Sequence, residues 1–180
     1  MNNNQIKKSC FYILIAFLLL PTGKANAQNQ QSSIARDTLM KAAREIITST
    51  PFCALVTVDS MGQPQVRTMN PFPLGDDMVI WFATSRKSRK VTEIRKNPKV
   101  SVYYADHTGA KGYVNITGSA VIIDDKELLV KMKRAYWENI PNWQDRFVLI
   151  KITPKTLDVI HYARGISGDP ETNRASTLVF

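Results

Sequence analysis

The chain has 180 residues, with 24 Lys and Arg against 15 Asp and Glu, so its formal charge at neutral pH is +9. Hydrophobic residues make up 44% and aromatic residues 9%, which fits one globular domain and excludes a multi-domain assembly. The 8 Gly and 9 Pro are scattered without a period, which excludes a collagen-like or low-complexity chain.

The first 27 residues are typical of a secretory signal peptide. Lys7 and Lys8 precede the apolar run Phe11–Leu20, and residues 25–27 read Ala-Asn-Ala, a small-residue cleavage pattern. The apolar run is shorter than the roughly 20 residues that cross a bilayer, which excludes a membrane anchor. We therefore expect cleavage after Ala27 and a secreted or periplasmic mature protein, with no membrane association after cleavage.

The remaining chain is predicted to form a polar linker over residues 28–32, a single domain over 33–162 and a tail over 163–180 without a period. Cys53 is the one cysteine left after cleavage, so no intramolecular disulfide is expected. Its apolar strand surroundings indicate a small buried side chain rather than a reactive thiol.

Helical and strand patterns alternate along the domain. A helix begins after Ser33, with apolar residues at three- and four-residue steps, and ends before Pro51. A hairpin of Phe52–Val58 and Gln65–Met69 follows, and then a strand Met78–Ala83 and a basic helix within Ser85–Asn97 that is capped by Ser88. The next elements are the strands Val100–Ala105 and Tyr113–Ile123 and a helix Asp124–Tyr136. The domain ends with the strand pair Phe147–Ile152 and Leu157–Tyr162 around Pro154. These elements predict a mainly β fold with inserted helices (α+β), built on a six- to seven-stranded antiparallel barrel.

Two groups of basic residues indicate an anion site. Residues 83–90 read Ala-Thr-Ser-Arg-Lys-Ser-Arg-Lys where a strand gives way to a helix, and a helix start with nearby cations binds a dianionic phosphate. The alternative is a solvated basic helix face. Arg67 lies within a strand paired with an apolar one, where it needs an anion, a carboxylate or a path to solvent. If Arg67, Arg89 and Lys90 face one anion, strand and helix hold it from two sides.

These residues resemble the pyridoxamine 5′-phosphate oxidase-like family of FMN-binding split barrels, particularly its general-stress-protein branch. The resemblance covers nearly all of residues 33–162. It is carried by Arg67-Thr68-Met69, Ile80-Trp81-Phe82-Ala83-Thr84, Ser88-Arg89-Lys90 and the strand entry Asn97–Val102. It implies an FMN-binding split barrel and a homodimer with the flavin at its interface.

The resemblance also implies a role for each site residue. Arg67, Arg89 and Lys90 would bind the phosphate of FMN, while Thr84 and Ser85 would line the phosphate and ribityl chain. The backbone around Thr68, Met69 and Asn70 would contact the flavin ring. The other face of the ring would be covered by a second subunit, through Tyr136 or Trp137.

The function that this resemblance implies is an exported FMN-dependent oxidoreductase acting on an unknown small molecule. Ala83 and Tyr113 stand where the oxidase proper has tyrosine and glutamine, so oxidation of pyridoxamine phosphate itself is not expected. The tail lacks the oxidase's substrate motif, although Arg164 and Arg174 are candidates for another anionic ligand.

Two other classes of function have some support in the sequence. A non-catalytic module could bind haem, a deazaflavin or a flavin, and His161 would be the better haem ligand of the two histidines. The segment Arg86–Lys99 has seven cations and one acid, yet it lacks a recognition-helix pattern or an aromatic platform, so nucleic-acid binding is not expected. No metal site is expected from two histidines.

Overall fold

Alternating buried and exposed residues build one curled antiparallel sheet. The computed structural model describes residues 34–107 and 109–180, so the predicted signal peptide, the linker and the Ser33 cap lie outside the described residues. The strands are β1 (Cys53–Val58), β2 (Pro64–Met69), β3 (Ile80–Ser85), β4 (Lys99–Ala105), β5 (Gly112–Ile123), β6 (Phe147–His161) and β7 (Ser176–Val179). Their order is β2-β1-β4-β5-β6-β3, with β7 also paired to β6. The sheet forms a curled half-barrel, which confirms the predicted split-barrel α+β fold.

Two helices pack on this sheet through narrow apolar stripes. Helix α1 (Arg36–Ser49) packs against β4, β5 and β6, and α2 (Arg89–Lys96) packs against β1 and β5. The shorter α3 (Lys126–Lys131) and α4 (Trp143–Arg146) lie between β5 and β6 along the chain. Among residues 34–107 and 109–180, no helix is long and apolar enough to cross a membrane.

Two clusters of buried apolar side chains form the core, and near β3 and β6 they lie on opposite faces of the sheet. The larger one joins the buried face of α1, including Ile46, to Leu55, Val102, Ile116 and other strand residues. The smaller one surrounds Trp137, which lies in a 3-10 turn after α3. Because burial of one such large apolar side chain contributes about 1.5–3 kcal/mol, these clusters hold the helices on the sheet.

The last predicted strand pair is one continuous strand, so that prediction was wrong. Strand β6 runs through Pro154 and pairs along its whole length with β5. The register shifts between Thr117 and Gly118, opposite Pro154, where β6 carries an extra residue. A bulge of this kind accepts a proline inside a sheet because the local ladder is already interrupted.

Three other boundaries differ from the sequence-based prediction. Strand β3 begins and ends two residues later than predicted, so Thr84 and Ser85 belong to the strand. Helix α3 is much shorter than the predicted 124–136 segment, and a separate 3-10 turn follows it. The tail, for which no element was predicted, supplies β7 and pairs with β6 beside β3.

Substitution of Gly118 tests the bulge. A Cβ atom at this position would lie 2.4 Å from the carbonyl oxygen of Thr153, a backbone atom that has no room to move aside. We expect Gly118→Ala to lower the free energy of unfolding by about 1–3 kcal/mol, measured by urea denaturation. The neighbouring Ser119→Ala is the control, and an equal loss in both variants would contradict the close packing.

Candidate functional site

Arg67 points to the core side of an edge strand. Strand β2 stands at one end of the strand order, and Arg67 lies directly opposite Leu55 of β1, which is fully buried. Cross-strand partners share a face of the sheet, so the guanidinium is directed inwards beside apolar neighbours. Only 17% of its side chain is exposed, and a charge in that place needs a counter-charge.

The counter-charge comes from Glu93 of α2. Nη2 of Arg67 donates to Oε2 of Glu93 at 2.8 Å, and the Glu93 side chain is only 4% exposed. Nη1 of Arg67 donates to the Thr57 hydroxyl at 2.5 Å and to the carbonyl of Gln65 at 2.8 Å. The Thr57 hydroxyl in turn donates to Oε2 of Glu93 at 2.5 Å. Strands β1 and β2 are thereby tied to the helix.

These contacts keep Glu93 ionised. Burial alone would raise the pKa of this carboxyl, but the hydrogen bonds from Thr57 and Arg67, with the charges of Arg67 and Arg89, outweigh it. The net effect lowers the pKa of Glu93 below its ordinary value of 4.5. The carboxylate is therefore charged at neutral pH and partly neutralises the basic residues around it.

Arg89 is the second cation of the group. It lies one helical turn before Glu93, with Nε 2.9 Å from Oε1 of the carboxylate. Its Nη2 donates to Oε1 of Gln65 at 2.8 Å, and Nε2 of Gln65 donates to Asp59 at 2.9 Å. The contacts of Gln65 with Asp59 and with Arg89 hold the exposed Arg89 guanidinium beside the start of β2.

Lys90 is the third cation, and its environment differs from that of the arginines. Its ammonium group is half-buried and donates to the Thr84 hydroxyl at 3.1 Å. Burial, with the charges of Arg67 and Arg89, lowers the pKa of Lys90 despite the opposing charge of Glu93. Among the described residues, no carboxylate lies within ion-pair distance of Lys90. We call Arg67, Arg89, Lys90 and Glu93 the basic cluster.

Helix α2 brings together two strands that do not pair. Strands β2 and β3 stand at opposite ends of the strand order. Through Glu93 the helix contacts β2, and through Lys90 it contacts Thr84 near the end of β3. Ser88 is the residue before the first turn, as predicted, but its hydroxyl lies 3.3 Å from that of Thr84 and caps no backbone N–H. The predicted Arg67, Thr84, Arg89 and Lys90 are therefore neighbours.

The other predicted site residues lie at the margins of this group. Ser85 is exposed at the end of β3, and Thr68 is exposed on the side of β2 opposite to Arg67. Met69 faces the core, where its carbonyl oxygen lies 3.7 Å from the Cys53 sulfur. Asn70 is exposed and follows β2 directly. Burial raises the pKa of Cys53 to about 12, so this thiol is unreactive, as predicted.

A cavity of about 780 Å³ opens beside Asn70. Its apolar wall includes Ile47, Phe72 and Leu74, and its basic rim includes Lys131, Lys133 and Arg134. Arg134 donates to the carbonyl oxygens of Asn70 at 3.1 Å and Pro71 at 2.7 Å, and its guanidinium lies 4.4 Å from the centre of the Phe72 ring. The rim is thus attached to the segment that leaves β2.

The surroundings of three further residues argue against their sequence-based assignments. Trp137 is 1% exposed in its own chain, so it does not cover a flavin of a second subunit, whereas Tyr136 is 56% exposed. Arg164 pairs with the Glu45 carboxylate through two nitrogens and is not a free anion ligand; Arg174 remains exposed. His161 is buried, with Nε2 3.2 Å from Glu45 and Nδ1 enclosed without a hydrogen-bond partner among the described residues, an environment that does not favour haem ligation.

Glu93 is the residue that sequence reasoning missed. Two signals for it were present: Arg67 needed a carboxylate or an anion, and Glu93 is the single acid in the basic segment Arg86–Lys99. The separation of 26 positions between Arg67 and Glu93 concealed the pairing, because only the fold brings the two elements together. Among the described residues, no group of three His, Cys, Asp or Glu side chains could hold a metal ion.

The sequence and the fold match a known family. Residues 39–161 match the family model for pyridoxamine 5′-phosphate oxidase, which covers more than half of the chain. The chain belongs to the pyridoxamine 5′-phosphate oxidase family. No curated protein sequence matches it.

Several solved structures have a similar fold. General Stress Protein 26 from Bacillus anthracis str. Sterne is 30% identical, with a TM-score of 0.58, over 68% of this chain and 93% of that one. A protein related to general stress protein 26 from Clostridium acetobutylicum is 17% identical, with a TM-score of 0.61, over 72% of this chain and 92% of that one. A heme binding protein from Mycobacterium smegmatis is 15% identical, with a TM-score of 0.59, over 81% of this chain and 60% of that one. The last two show a likeness of fold alone.

The role of Glu93 in holding the cluster predicts a pH-dependent stability. Because its pKa is lowered on folding, its stabilising effect is complete above pH 4.5 and is lost as the pH falls through its folded-state pKa. We expect Glu93→Gln to lower the free energy of unfolding by about 1–3 kcal/mol at pH 7, and by less at pH 3.5. Glu171→Gln, at an exposed position, is the control. A deficit that does not change with pH would contradict the assignment.

Proposed function

We propose that this protein binds FMN through the basic cluster and acts as an oxidoreductase on a small molecule. The observation that carries the proposal is Lys90, a half-buried ammonium group with no carboxylate in ion-pair distance among the described residues. A cation that is removed from water without a counter-ion raises the free energy of the protein. A phosphate group would supply that counter-ion and would accept several charge-assisted hydrogen bonds.

The donor set around Lys90 fits a phosphate monoester. Arg67 and Arg89 present guanidinium groups, and Thr84 and Ser88 present hydroxyls beside the start of α2. Guanidinium groups and helix starts are common phosphate ligands because both direct N–H donors at the anion. Membership in the pyridoxamine 5′-phosphate oxidase family supports FMN as the phosphate-bearing group.

The segment after Arg67 would position the flavin ring. Among the described residues, β2 pairs with one strand only, so part of its backbone N–H and C=O groups would be able to bind the polar margin of the ring near Thr68, Met69 and Asn70. When bound, FMN supplies hydride and electron transfer at its ring, while the chain's own residues bind and orient it. The cavity beside Asn70, with its apolar wall and basic rim, would admit a small anionic or polar substrate next to the ring.

A non-catalytic module that binds a flavin, a deazaflavin or haem is the second candidate. The fold of the Mycobacterium smegmatis heme binding protein is similar, so the scaffold is compatible with that role. Against haem stands the buried His161, whose nitrogens are enclosed. The basic cluster would serve a flavin carrier as well as an enzyme, and turnover with a reductant distinguishes the two.

The partner that we propose is a second copy of this chain. Val56 and Val66 lie opposite each other on the outer side of β1 and β2, and Val66 is 64% exposed. The nearby Phe52 is 54% exposed and lines a pocket of about 320 Å³ with Thr68 and Tyr103. Apolar side chains exposed on the outside of an edge hairpin favour a protein interface. A dimer formed there would lie next to the flavin-contacting backbone of β2.

Export remains a proposal that rests on residues 1–27. Their basic start, apolar run and small-residue cleavage pattern support a secreted or periplasmic protein cleaved after Ala27.

Replacement of Lys90 tests the cofactor site. Protein reconstituted with FMN and desalted is expected to retain close to one flavin per chain, measured by visible absorbance. Lys90→Ala removes the one unpaired cation of the cluster, and we expect it to weaken FMN binding about 10- to 100-fold with little loss of folding. Lys87→Ala, at an exposed position of the same segment, is the control. Equal flavin retention in all three proteins would refute the phosphate assignment.

Replacement of Val66 tests the dimer. An aspartate at this exposed position would place a charge in the proposed interface without disturbing the core. We expect Val66→Asp to halve the mass measured by light scattering, because desolvation of the carboxylate opposes association. Val130→Asp, at a similarly exposed apolar position on α3, should leave the mass unchanged. A parent protein that is monomeric at all concentrations would exclude the dimer.

A further inference from the structure

The carboxylate of Glu93 uses only part of its hydrogen-bonding capacity. Oε2 accepts from Thr57 and Arg67, whereas Oε1 is enclosed and accepts no hydrogen bond from the described residues. Nε of Arg89 lies 2.9 Å from Oε1, which is an ion-pair distance without hydrogen-bond geometry. One oxygen of the carboxylate thus has an ion-pair partner but accepts no hydrogen bond from the described residues.

The charge of the cluster is set by this residue. Arg67, Arg89 and Lys90 carry three positive charges, and the Glu93 carboxylate leaves an excess of two. A phosphate monoester near neutral pH carries a charge of about −1.5 to −2, since its second pKa is about 6. The excess therefore matches one phosphate monoester. Without Glu93 the same three cations would suit a more highly charged anion.

Glu93 and an incoming phosphate would share the same donors. Arg67 and Arg89 both contact the carboxylate, whereas Lys90 donates to Thr84. A second anion bound to these guanidinium groups would lie close to Glu93, and two like charges at such a distance repel each other strongly in a partly buried site. The carboxylate therefore stabilises the arginines in the empty protein and opposes the phosphate in the loaded one.

We propose that Glu93 is an internal counter-anion of the phosphate site, which holds Arg67 and Arg89 in place before loading and keeps a bound phosphate monoester exchangeable. This inference rests on the proposed function, because it concerns the same phosphate site. In a purely positioning role, by contrast, loss of the Glu93 carboxylate would disorder the arginines and weaken phosphate binding. The two roles predict opposite changes in affinity.

The test compares the parent protein with Glu93→Gln and with the charge-matched control Glu171→Gln. FMN is titrated by flavin fluorescence, and inorganic phosphate is titrated by its effect on Tm. Because glutamine keeps the shape of Glu93 and can still accept from Thr57 and Arg67, the variant loses mainly the charge. We expect Glu93→Gln to bind FMN about 10-fold more tightly, with slower release. We also expect a lower Tm without ligand and a larger rise with phosphate, while the control behaves as the parent.

The outcomes separate the two proposals. Equal or weaker binding of FMN and phosphate by Glu93→Gln overturns the counter-anion role. If the parent binds no FMN, the proposed function fails, and the phosphate titration still decides the role of Glu93 by the same criterion. If Glu93→Gln does not fold, Glu93→Asp is tested in its place. The aspartate side chain is shorter by one methylene group, so its charge lies farther from the phosphate site. This variant should bind about threefold more tightly than the parent, and weaker binding would overturn the proposal.

Discussion

An arginine directed inwards from an edge strand is the constraint on which the rest of the site depends. Arg67 lies beside Leu55 and cannot be solvated as a surface arginine would be, so the fold must supply an anion. Glu93 supplies it, and together with the buried apolar residues of α2 this ion pair directs one side of the helix towards the sheet. On that helix Lys90 stands three residues before Glu93 and Arg89 four, so both lie on the same side. One ion pair thereby places three cations together.

The same ion pair explains how the open side of the half-barrel is bridged. Strands β2 and β3 share no pairing, yet α2 contacts β2 through Glu93 and β3 through Lys90. A further backbone hydrogen bond, from Phe72 to Trp81 at 2.9 Å, joins the segment after β2 to β3. The cluster is therefore part of the architecture, and side chains that the packing of the fold holds in place lose little conformational entropy when a ligand binds.

Much of this arrangement could be predicted from the sequence, and the remainder has identifiable causes. Continuous apolar runs such as Phe52–Val58, with turn signals between them, predict the strands. A lone arginine in a strand paired with an apolar one predicts a nearby anion, a carboxylate or a path to solvent. The pairing of Arg67 with Glu93 depends on the curl of the sheet, which no local pattern encodes. The continuous β6 was missed because Pro154 is read as a strand end, although a bulge opposite Gly118 accommodates it. The fold could thus be predicted from patterns in the sequence, whereas the counter-charge that Glu93 supplies to Arg67 could not.

The relation between the cluster and the cavity favours an extended phosphate-bearing molecule over a free phosphate ion. Arg67 and Asn70 are three residues apart, which corresponds to about 10 Å along a strand. The basic cluster lies at one end of this distance, and the cavity with its Arg134 rim lies at the other. A free anion would use the first end alone and leave the unpaired backbone of β2 and the apolar wall of the cavity without a role. A molecule with a phosphate at one end and a planar ring at the other uses all three.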